Sequence, residues 1–449
     1  MSSESRLTKL GDLVDIKHGF AFKGEFFSDL ETNFQLTTPG NFAIGGGFQL
    51  GKGKFYNGPV PNDYVLKVGD LLVTMTDLSK AADTLGYAAK VPESPGVTWL
   101  HNQRVGLVTV KSDVAASADF IHFLMRGPDY RHWVVSTATG STVKHTSPSR
   151  ICDYEFMLPP LDSQQEVANF LDALDDRITL LRETNATLEA IAQALFKSWF
   201  VDFDPVRAKM EGLVPEGMDE ATAALFPDSF EESELGEVPR GWSFATIGEL
   251  ANIIDCLHSK KPVLLEEGWP FLQLNNIRDD GLLDTSTLAC ISQLDYKKWV
   301  SRIEASGGDC IITNVGRVGA VAQIPEEFTA AMGRNMTAIR LRPAWPYPTY
   351  LIELLQSPWM RAEIDSNTDQ GTILNALNVK SIPRLRCPLA PHAVLECFEN
   401  KVRPLRAAME GNLRQTHTLS ELRDGLLPRL ISGQLSLREG HDKFFGAIA

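Results

Sequence analysis

The chain has 449 residues, of which 43% are hydrophobic and 22% charged, and a formal net charge of −14. These are globular values for about three folding units, and they exclude wholesale disorder. No apolar run approaches the ~18 residues that a membrane-spanning helix needs, and the charged first twenty residues do not predict a signal peptide. The six cysteines include no C-x-x-C pair, so neither a zinc ribbon nor a disulfide framework is indicated, and we expect a reduced, cytoplasmic protein.

Nearly all of the negative charge lies in the middle of the chain. Residues 161–240 carry a net charge of −12, whereas residues 1–160 and 241–449 each carry −1. A uniformly acidic protein would repel nucleic acid phosphates, but each flanking third can still present a basic face. The charge therefore does not exclude a DNA partner, and it indicates that the middle segment is not the DNA-binding surface.

Short strands followed by helices occur twice in chain order. In the first half, short apolar runs predict strands over 70–75 and 104–110, followed by a helix over 117–134. In the second half, the same pattern predicts strands over 309–313 and 336–341, followed by a helix over 348–364. Between the halves lies an acidic stretch rich in Pro and Gly, which is typical of a linker. The pattern predicts two mixed α/β domains.

The two halves are also similar in sequence. Residues 140–151 align without a gap to 371–382, an offset of 231. Upstream, residues 68–73 correspond to 307–312 and residues 10–16 to 247–253, in the same order along the chain. Several matches in one order indicate an internal repeat, with copies near 7–200 and 243–432.

A long helix with a heptad pattern is predicted at the end of each copy. Residues 162–200 contain no Gly or Pro, and Asp162 is a candidate N-cap. Steps of four and three residues define the first apolar seam: Val167, Leu171, Leu174, Ile178, Leu181, Asn185, Leu188, Ala192, Leu195 and Trp199. The second seam consists of Phe398, Val402, Leu405, Met409, Leu413, Thr416, Leu419, Leu422 and Leu426. Pro404 lies within this segment and predicts a kink or a short preceding turn. The two helices are expected to pack on each other as a coiled coil; the alternative is an ordinary buried bundle helix.

The sequence lacks the motifs of common enzymes. Residues 46–53 match the glycines and lysine of a phosphate-binding loop, but Gly53 replaces the hydroxyl residue that binds magnesium, so we interpret them as a flexible loop. His101, His132 and His145 could meet in space, although isolated histidines are usually surface or core residues. We therefore predict a binding protein with no catalytic residue and no metal site.

Polar loops in both copies are candidates for DNA contacts. Amide and guanidinium groups pair with adenine and guanine edges, while Ser, Thr and Lys suit phosphates. In copy one the candidates are Lys17, His18, Asn102, Gln103, Arg104, Ser141, Thr142, Lys144, His145, Ser147 and Arg150. In copy two they are Lys260, Lys261, Asn275, Arg278, Asn314, Arg317, Arg334, Asn335, Gln370, Thr372, Asn375, Asn378 and Lys380. The alternative for any one of them is a solvated turn.

Five segments together resemble one family, the specificity subunit of type I restriction–modification systems. The Leu-Pro-Pro-Leu run and the following glutamines resemble the family's approach to its first spacer helix, and the Leu-Leu-Pro-Arg-Leu run resembles its C-terminal signature. The similarity covers nearly the whole chain, and the residues that carry it are 158–171, 175–178, 194–204, 387–391, Phe398, Pro404, Leu405 and 426–435. Copy two departs from the pattern at residues 390–392, where Gln and Glu are usual.

The resemblance implies an α+β fold with a pseudo-two-fold internal repeat. It comprises two similar mixed α/β target-recognition domains separated by two long antiparallel coiled-coil helices. The corresponding division of this chain is target-recognition domain 1 (1–160), spacer helix 1 (161–203), the acidic linker (204–241), target-recognition domain 2 (242–390), spacer helix 2 (391–435) and a C-terminal tail (436–449).

The resemblance also implies a function and partners. Each domain would read one half of a bipartite double-stranded DNA target. The subunit has no active site and no cofactor of its own, and it docks two modification subunits, which methylate adenine with S-adenosylmethionine. Restriction subunits, which use ATP and Mg²⁺, join the complex, and no membrane is involved. The alternatives are a coiled-coil scaffold that holds protein partners without binding DNA, and a methylase–nuclease fusion with unusual motifs.

Overall fold

The computed structural model describes residues 5–51, 53–79, 81–233, 236–369 and 375–437. Gln370 and Thr372 lie outside the described residues. The chain forms two compact units: unit 1 runs to Ile178 and resumes at Thr418, and unit 2 spans Thr179–His417. None of the described helices is both long and apolar enough to cross a membrane.

Unit 1 contains short strands, four short helices and parts of both long helices. The strands are β1 (Arg6–Lys9), β2 (Val14–His18), β3 (Phe27–Ser28), β4 (Phe34–Leu36), β5 (Phe55–Tyr56), β6 (Leu71–Thr74), β7 (Thr76–Asp77), β8 (Ala88–Lys90), β9 (Thr98–Leu100), β10 (Val105–Val110), β11 (Lys144–His145) and β12 (Glu155–Leu158). The helices are α1 (Leu10–Leu13), α2 (Ala118–Leu124), α3 (Pro128–Ser136), α4 (Pro148–Cys152) and the long α5 (Leu161–Phe200), whose first part lies in this unit.

Unit 2 begins within α5 and ends within the second long helix. After α5 come α6 (Asp204–Met210), α7 (Glu220–Ala224), β13 (Phe230–Ser233) and β14 (Gly236–Pro239). The domain that follows comprises β15 (Ser243–Thr246), α8 (Ile247–Leu250), β16 (Ala251–Asp255), β17 (Trp269–Leu272), β18 (Ala289–Ile291), α9 (Gln293–Trp299), β19 (Ala305–Ser306), β20 (Cys310–Thr313), β21 (Val321–Gln323), β22 (Thr329–Met332), β23 (Met336–Leu341), α10 (Pro348–Gln356), α11 (Pro358–Ser366), β24 (Thr368–Asp369), β25 (Ala376–Leu377), β26 (Arg386–Leu389) and α12 (His392–Ile431).

The main sheet has the same strand order in both units. In unit 1 an antiparallel sheet has the order β2-β10-β6-β8, and in unit 2 its counterpart has the order β16-β23-β20-β21. Each unit has a second four-stranded sheet with one parallel pair, β4 with β9 and β17 with β22. Each also closes with a two-stranded pair, β1 with β12 and β15 with β26. The predicted repeat and the mixed α/β fold class are confirmed.

A proline divides each predicted single helix after the sheet into two. Residues 117–134 form α2 and α3, and residues 348–364 form α10 and α11. Proline disfavours the helical conformation in the residue before it, and both Gly127 and Ser357 are extended, with ψ angles of 151° and 152°. Pro128 and Pro358 then occupy the first turn of the next helix, where a missing N–H costs nothing. The prediction of one continuous helix is therefore wrong in both copies.

The long helices bury the predicted seams. Every described seam position is buried or half-buried. In unit 1, Val167 and Leu171 of α5 share a core with Leu426 and Leu430 of α12. In unit 2, the Asn185 amide donates to the Met409 carbonyl at 2.9 Å, and Asn412 donates to Asn185 at 2.9 Å.

The direction of the two helices in unit 2 follows from their ring contacts. Further along α5 than Asn185, Phe196 packs on Phe398 with ring centroids 5.8 Å apart. Residue numbers on α12 therefore decrease as the contacting residue numbers on α5 increase, so the two helices are antiparallel in this unit. α12 begins at His392 and continues through Pro404, so no preceding turn forms there. α5 begins at Leu161, which places Asp162 in the first turn rather than at the N-cap.

The acidic segment predicted as a linker is folded. It carries α6, α7 and the β13–β14 hairpin, and Val206 and Phe226 are buried in the core of unit 2. Trp242 packs near both Phe200 and Phe203, with ring centroids 5.7 and 5.6 Å away. The segment's Pro, Gly and acidic residues suggested a linker, but its few aromatic side chains pack against the end of α5 and attach the segment there.

Candidate nucleic-acid interface

Two backbone hydrogen bonds place the predicted loops at the same position in each unit. In unit 1 the Met75 amide donates to the Arg104 carbonyl at 3.0 Å, and the Thr146 amide donates to the Met75 carbonyl at 3.0 Å. In unit 2 the Asn314 amide donates to Asn335 at 2.8 Å, and the Leu377 amide donates to Asn314 at 2.9 Å. Arg104 and Asn335, like Thr146 and Leu377, are separated by the sequence offset of the repeat. The two polar loops are therefore joined through the end of the central strand, β6 or β20.

The first group of unit 1 candidates lies where β2 ends. Lys17 and His18 are exposed, and the Lys17 ammonium donates to the Asp63 carbonyl at 2.9 Å while lying 4.4 Å from the centre of the Tyr64 ring. Phe20 pairs with Asn102, which brings the loop of Asn102, Gln103 and Arg104 beside β2. Gln103 and Arg104 are exposed. The group offers two cations and two amides on one surface.

The second group of unit 1 candidates surrounds β11. Lys144 and His145 pair with β7, and His145 Nδ1 lies 3.2 Å from the Thr76 hydroxyl. Ser141 and Thr142 are exposed in the preceding turn. Two further candidates have internal partners. The Ser147 hydroxyl caps α4 by accepting from the Arg150 amide at 3.4 Å, and the Arg150 guanidinium donates to the Thr139 hydroxyl at 3.2 Å.

In unit 2, four candidates line one cavity of about 550 Å³. They are Lys261, Asn275, Arg334 and Asn335. Lys261, Asn275 and Arg334 are exposed, and Asn335 has a positive φ of 64°, which a turn at the end of the sheet requires. Lys260 is exposed beside them. The cavity therefore combines cationic and amide donors.

The same cavity contains residues that the sequence did not single out, Phe271, Gln273 and Trp299. Gln273 lies two residues before the predicted Asn275 loop, and this proximity is a signal that the sequence offered. Trp299 ends α9 and is brought in by tertiary packing, so its sequence neighbours carry no signal. Phe271 and Trp299 are each 2% exposed and pack on each other with ring centroids 5.1 Å apart, so they form the wall of the cavity rather than a surface on which bases could stack.

A second cavity of about 520 Å³ in unit 2 is lined by the candidates Arg278, Arg317 and Asn375, together with Arg361. Its guanidinium groups already have partners. Arg278 pairs with Asp280 at 2.6 Å, Arg361 pairs with Asp365 at 3.0 Å, and Arg317 donates to the Ile277 carbonyl at 2.6 Å and contacts Asp279. These partners position the cations and reduce their net charge.

Asn314 does not fit the role of a DNA contact. Its side chain is 6% exposed, its amide donates to the Leu377 carbonyl at 3.2 Å, and its oxygen accepts from the Thr337 hydroxyl at 2.9 Å. Both functional groups are used inside the domain, so we remove Asn314 from the set. Asn378 and Lys380 are exposed, but the Asn378 oxygen accepts from the Lys380 amide at 3.0 Å and closes a turn.

The three histidines considered as metal ligands have separate surroundings. His101 is fully buried, its Nε2 lies 2.9 Å from the Val105 carbonyl, and burial lowers its pKa. His132 is exposed, and His145 contacts Thr76. Among the described residues, Asp255, Cys256 and His258 are close enough to share an ion, but Arg302 lies 3.6 Å from Asp255 and already supplies a positive charge there.

Comparison with known proteins shows which proteins this chain is similar to. A family model described as the type I restriction modification DNA specificity domain matches residues 3–190. The chain is 24% identical over 364 residues to the type I restriction enzyme MjaIX specificity subunit of Methanocaldococcus jannaschii, covering 79% of this chain and 76% of that protein. It is also 24% identical over 443 residues to the EcoBI specificity subunit of Escherichia coli, covering 95% and 85%.

A solved structure has the same fold. The S subunit of a type I restriction–modification system from M. genitalium superposes with a TM-score of 0.58 at 15% identity, over 96% of each chain. The family model thus matches the first part of the chain, and the resemblance predicted from the sequence is confirmed. Along most of its length the chain is similar to whole specificity subunits.

Proposed function

We propose that this chain is the non-catalytic DNA sequence-recognition subunit of a type I restriction–modification complex. Each unit would read one half of a bipartite target. The observation that carries this proposal is the equivalent placement of the polar loops, Arg104 and Thr146 in unit 1 and Asn335 and Leu377 in unit 2, by the same pair of backbone hydrogen bonds. A chain that reads two half-sites needs two such surfaces.

The difference between the two surfaces is the second support. At repeat-equivalent positions, Gln103 and Arg104 correspond to Arg334 and Asn335, and Lys144 corresponds to Asn375. Amide and guanidinium groups favour different base edges, so the two half-sites would have different sequences. We further propose that the chain docks two modification subunits and then restriction subunits in the cytoplasm. S-adenosylmethionine, ATP and Mg²⁺ would be bound by those partners.

Sequencing of methylated adenines in a host with and without this chain tests the proposal. We expect one bipartite motif with a fixed gap, present only in the strain that produces the chain. The absence of a chain-dependent methylation motif would contradict the proposal.

Single substitutions then assign a half-site to each unit. Arg104→Ala is expected to weaken recognition of one half and Arg334→Ala that of the other, by about tenfold each, the scale of one lost side chain–base contact. Asn169→Ala, at an exposed position of α5, is the control. Both substitutions affecting the same half-site would refute one reader per unit.

Salt dependence separates a DNA reader from a protein scaffold. Phosphate contacts release counterions, so the affinity of the assembled complex for its target should fall steeply with salt. The measurement uses the complex because the chain alone carries a net charge of −14. Target binding that is absent or insensitive to salt would favour the scaffold.

A further inference from the structure

The glycine-rich loop at residues 45–47 packs against a buried arginine, Arg126. The Gly45 carbonyl accepts from Arg126 Nε at 3.0 Å, and a Cβ atom at Gly46 would collide with the Arg126 side chain. The Gly47 amide donates to the Ala88 carbonyl at 2.9 Å, which holds the loop against β8. All three glycines have positive φ angles, which other residues rarely adopt. The loop that the sequence suggested to be flexible is thus built around Arg126.

The other end of Arg126 reaches the long helices of unit 1. Its Nη1 donates to Asp175 on α5, and the same carboxylate accepts from Arg423 on α12 at 2.6 Å. The Arg126 side chain is only 2% exposed. Burial raises the pKa of Asp175, but the two guanidinium groups outweigh it and hold this pKa below its usual value. One charged network therefore connects the domain loop to both helices.

Unit 2 contains an equivalent connection made from different elements. Arg406 of α12 donates to Glu353 of α10 at 3.0 Å and to the Gly281 carbonyl at 2.9 Å. The arginine and glutamate side chains are 4% and 2% exposed. Gly281 lies five residues after Asn276, just as Gly46 lies five residues after Asn41, and both asparagines end a 3-10 helix. The two loops are therefore counterparts.

In each unit, an arginine at the contact between domain and long helices binds a loop carbonyl and a carboxylate at once. A planar guanidinium that is fixed by two partners in different directions and excluded from water permits little rotation. Lysine could supply the charge but not the fixed geometry. These arginines are therefore suited to fixing the angle between a domain and the long helices of its own unit, in addition to stabilising the contact.

We propose that Arg126 and Arg406 are positioning residues that fix the angle of each recognition domain on the helices of its own unit, and so set the gap between half-sites that the chain accepts. The inference rests on the proposed function. α5 and α12 each contribute to both units, and successive base pairs differ by about 3.4 Å and about 35°. A domain released from its angle could therefore accept a half-site displaced by one base pair.

The test is the distribution of gap lengths among methylated sites in hosts producing each variant. Wild type is expected to methylate sites with one gap length. In the Arg126→Gln variant, the ratio of methylation at the native gap to methylation at gaps one base pair shorter or longer should fall by about threefold to tenfold, a typical range for residues that modulate coupling. Both half-site sequences should stay unchanged. Arg429→Gln, at an exposed position on α12, removes the same charge as a control and should keep the single gap.

Arg406 needs a variant that does not leave Glu353 charged and unpaired. The double substitution Arg406→Met with Glu353→Leu removes both charges and keeps apolar volume, and it is expected to relax the gap as Arg126→Gln does. A purely structural role would reduce methylation at the native gap without adding sites at neighbouring gaps, and that result overturns the inference. A wild type without any bipartite motif would overturn the proposed function as well, so the two failures are distinguishable.

Discussion

Unit 1 and unit 2 share the strand order of their main sheet but have opposite arrangements of charge at the long helices. In unit 1 the arginine comes from the turn after α2 and the carboxylate, Asp175, from α5. In unit 2 the arginine comes from α12 and the carboxylate, Glu353, from α10. Asp175 is 25% exposed and has two arginine partners, whereas Glu353 is 2% exposed and has one. The repeat has thus kept an arginine bond to a carbonyl of the same loop, displaced by one residue between Gly45 and Gly281, and exchanged the elements that supply the charges.

This difference indicates what the repeat constrains. The register of the main sheet is the same in both units, with Val105 opposite Thr74 and Met336 opposite Thr313, because a change of register would move every core side chain to the wrong face. The ion pair can be rebuilt from other elements as long as a guanidinium reaches the loop. Because the two pairs differ in burial, we expect them to differ in energetic cost and in response to pH.

The largest effect is expected from breaking the fully buried pair. Arg406→Ala leaves Glu353 buried without a counter-charge, and such losses destabilise by about 3–5 kcal/mol. Urea-dependent thiol labelling of Cys310, which is fully buried in unit 2, measures the change. The double substitution Arg406→Met with Glu353→Leu is the control, and it should recover most of the loss. An equal loss in the double variant would contradict the assignment of the cost to an unpaired charge.

A smaller effect is expected for the counterpart in unit 1. Asp175→Asn removes the charge but leaves an oxygen that can accept from one arginine, and the site is partly open to water, so we expect about 2 kcal/mol. Cys152 is half-buried in unit 1, so the rise of its labelling rate with urea above the native rate measures unfolding of unit 1. Asp176→Asn, at the exposed neighbouring position, serves as the matched control and should change stability little. A loss larger than that of Arg406→Ala would reverse the comparison.

The sequence was sufficient for the parts of the fold that local patterns determine. Strands such as β6 and β23 and the seam of α5 follow from apolar spacing, and the repeat follows from matches in the same order along both halves. The breaks at Pro128 and Pro358 were also readable, since proline restricts the residue before it, but the apolar pattern continues across them and concealed the break.

Other features depend on contacts between distant residues. Asn314 looks like a loop amide in the sequence, yet Leu377 and Thr337 occupy its side chain. Arg126 and Asp175 are separated by 49 positions, and nothing near either one signals the other. Trp299 joins the polar cavity of unit 2 by packing alone. Pairings of this kind follow from the tertiary fold, and a single sequence without its structure carries no local sign of them.

The smallest expected effect is that the stability contributions of Asp175 and Glu353 depend on pH with opposite signs. The folded-state pKa of Asp175 is below its ordinary 3.8, because two guanidinium groups outweigh burial. Its contribution is therefore fully present above about pH 4 and is lost as the pH falls through the lower folded value. For Glu353, burial dominates over Arg406 and raises the folded pKa above the ordinary 4.5. Protonation of Glu353 thus favours the folded state, and this contribution is lost as the pH rises through the raised value.

Paired variants convert this difference into opposite slopes. As the pH falls from about 7 to about 3, the loss caused by Asp175→Asn should shrink, because the wild-type carboxylate also becomes neutral. Over the same range the loss caused by Glu353→Gln should grow, since the wild-type glutamate gains its proton and its stability. Urea-unfolding midpoints of each variant and of wild type, followed by circular dichroism at matched pH, measure the two slopes, because cysteine thiols carry almost no reactive thiolate at about pH 3. Slopes of the same sign would mean that the folded-state pKa values of Asp175 and Glu353 are shifted in the same direction, and would contradict the prediction.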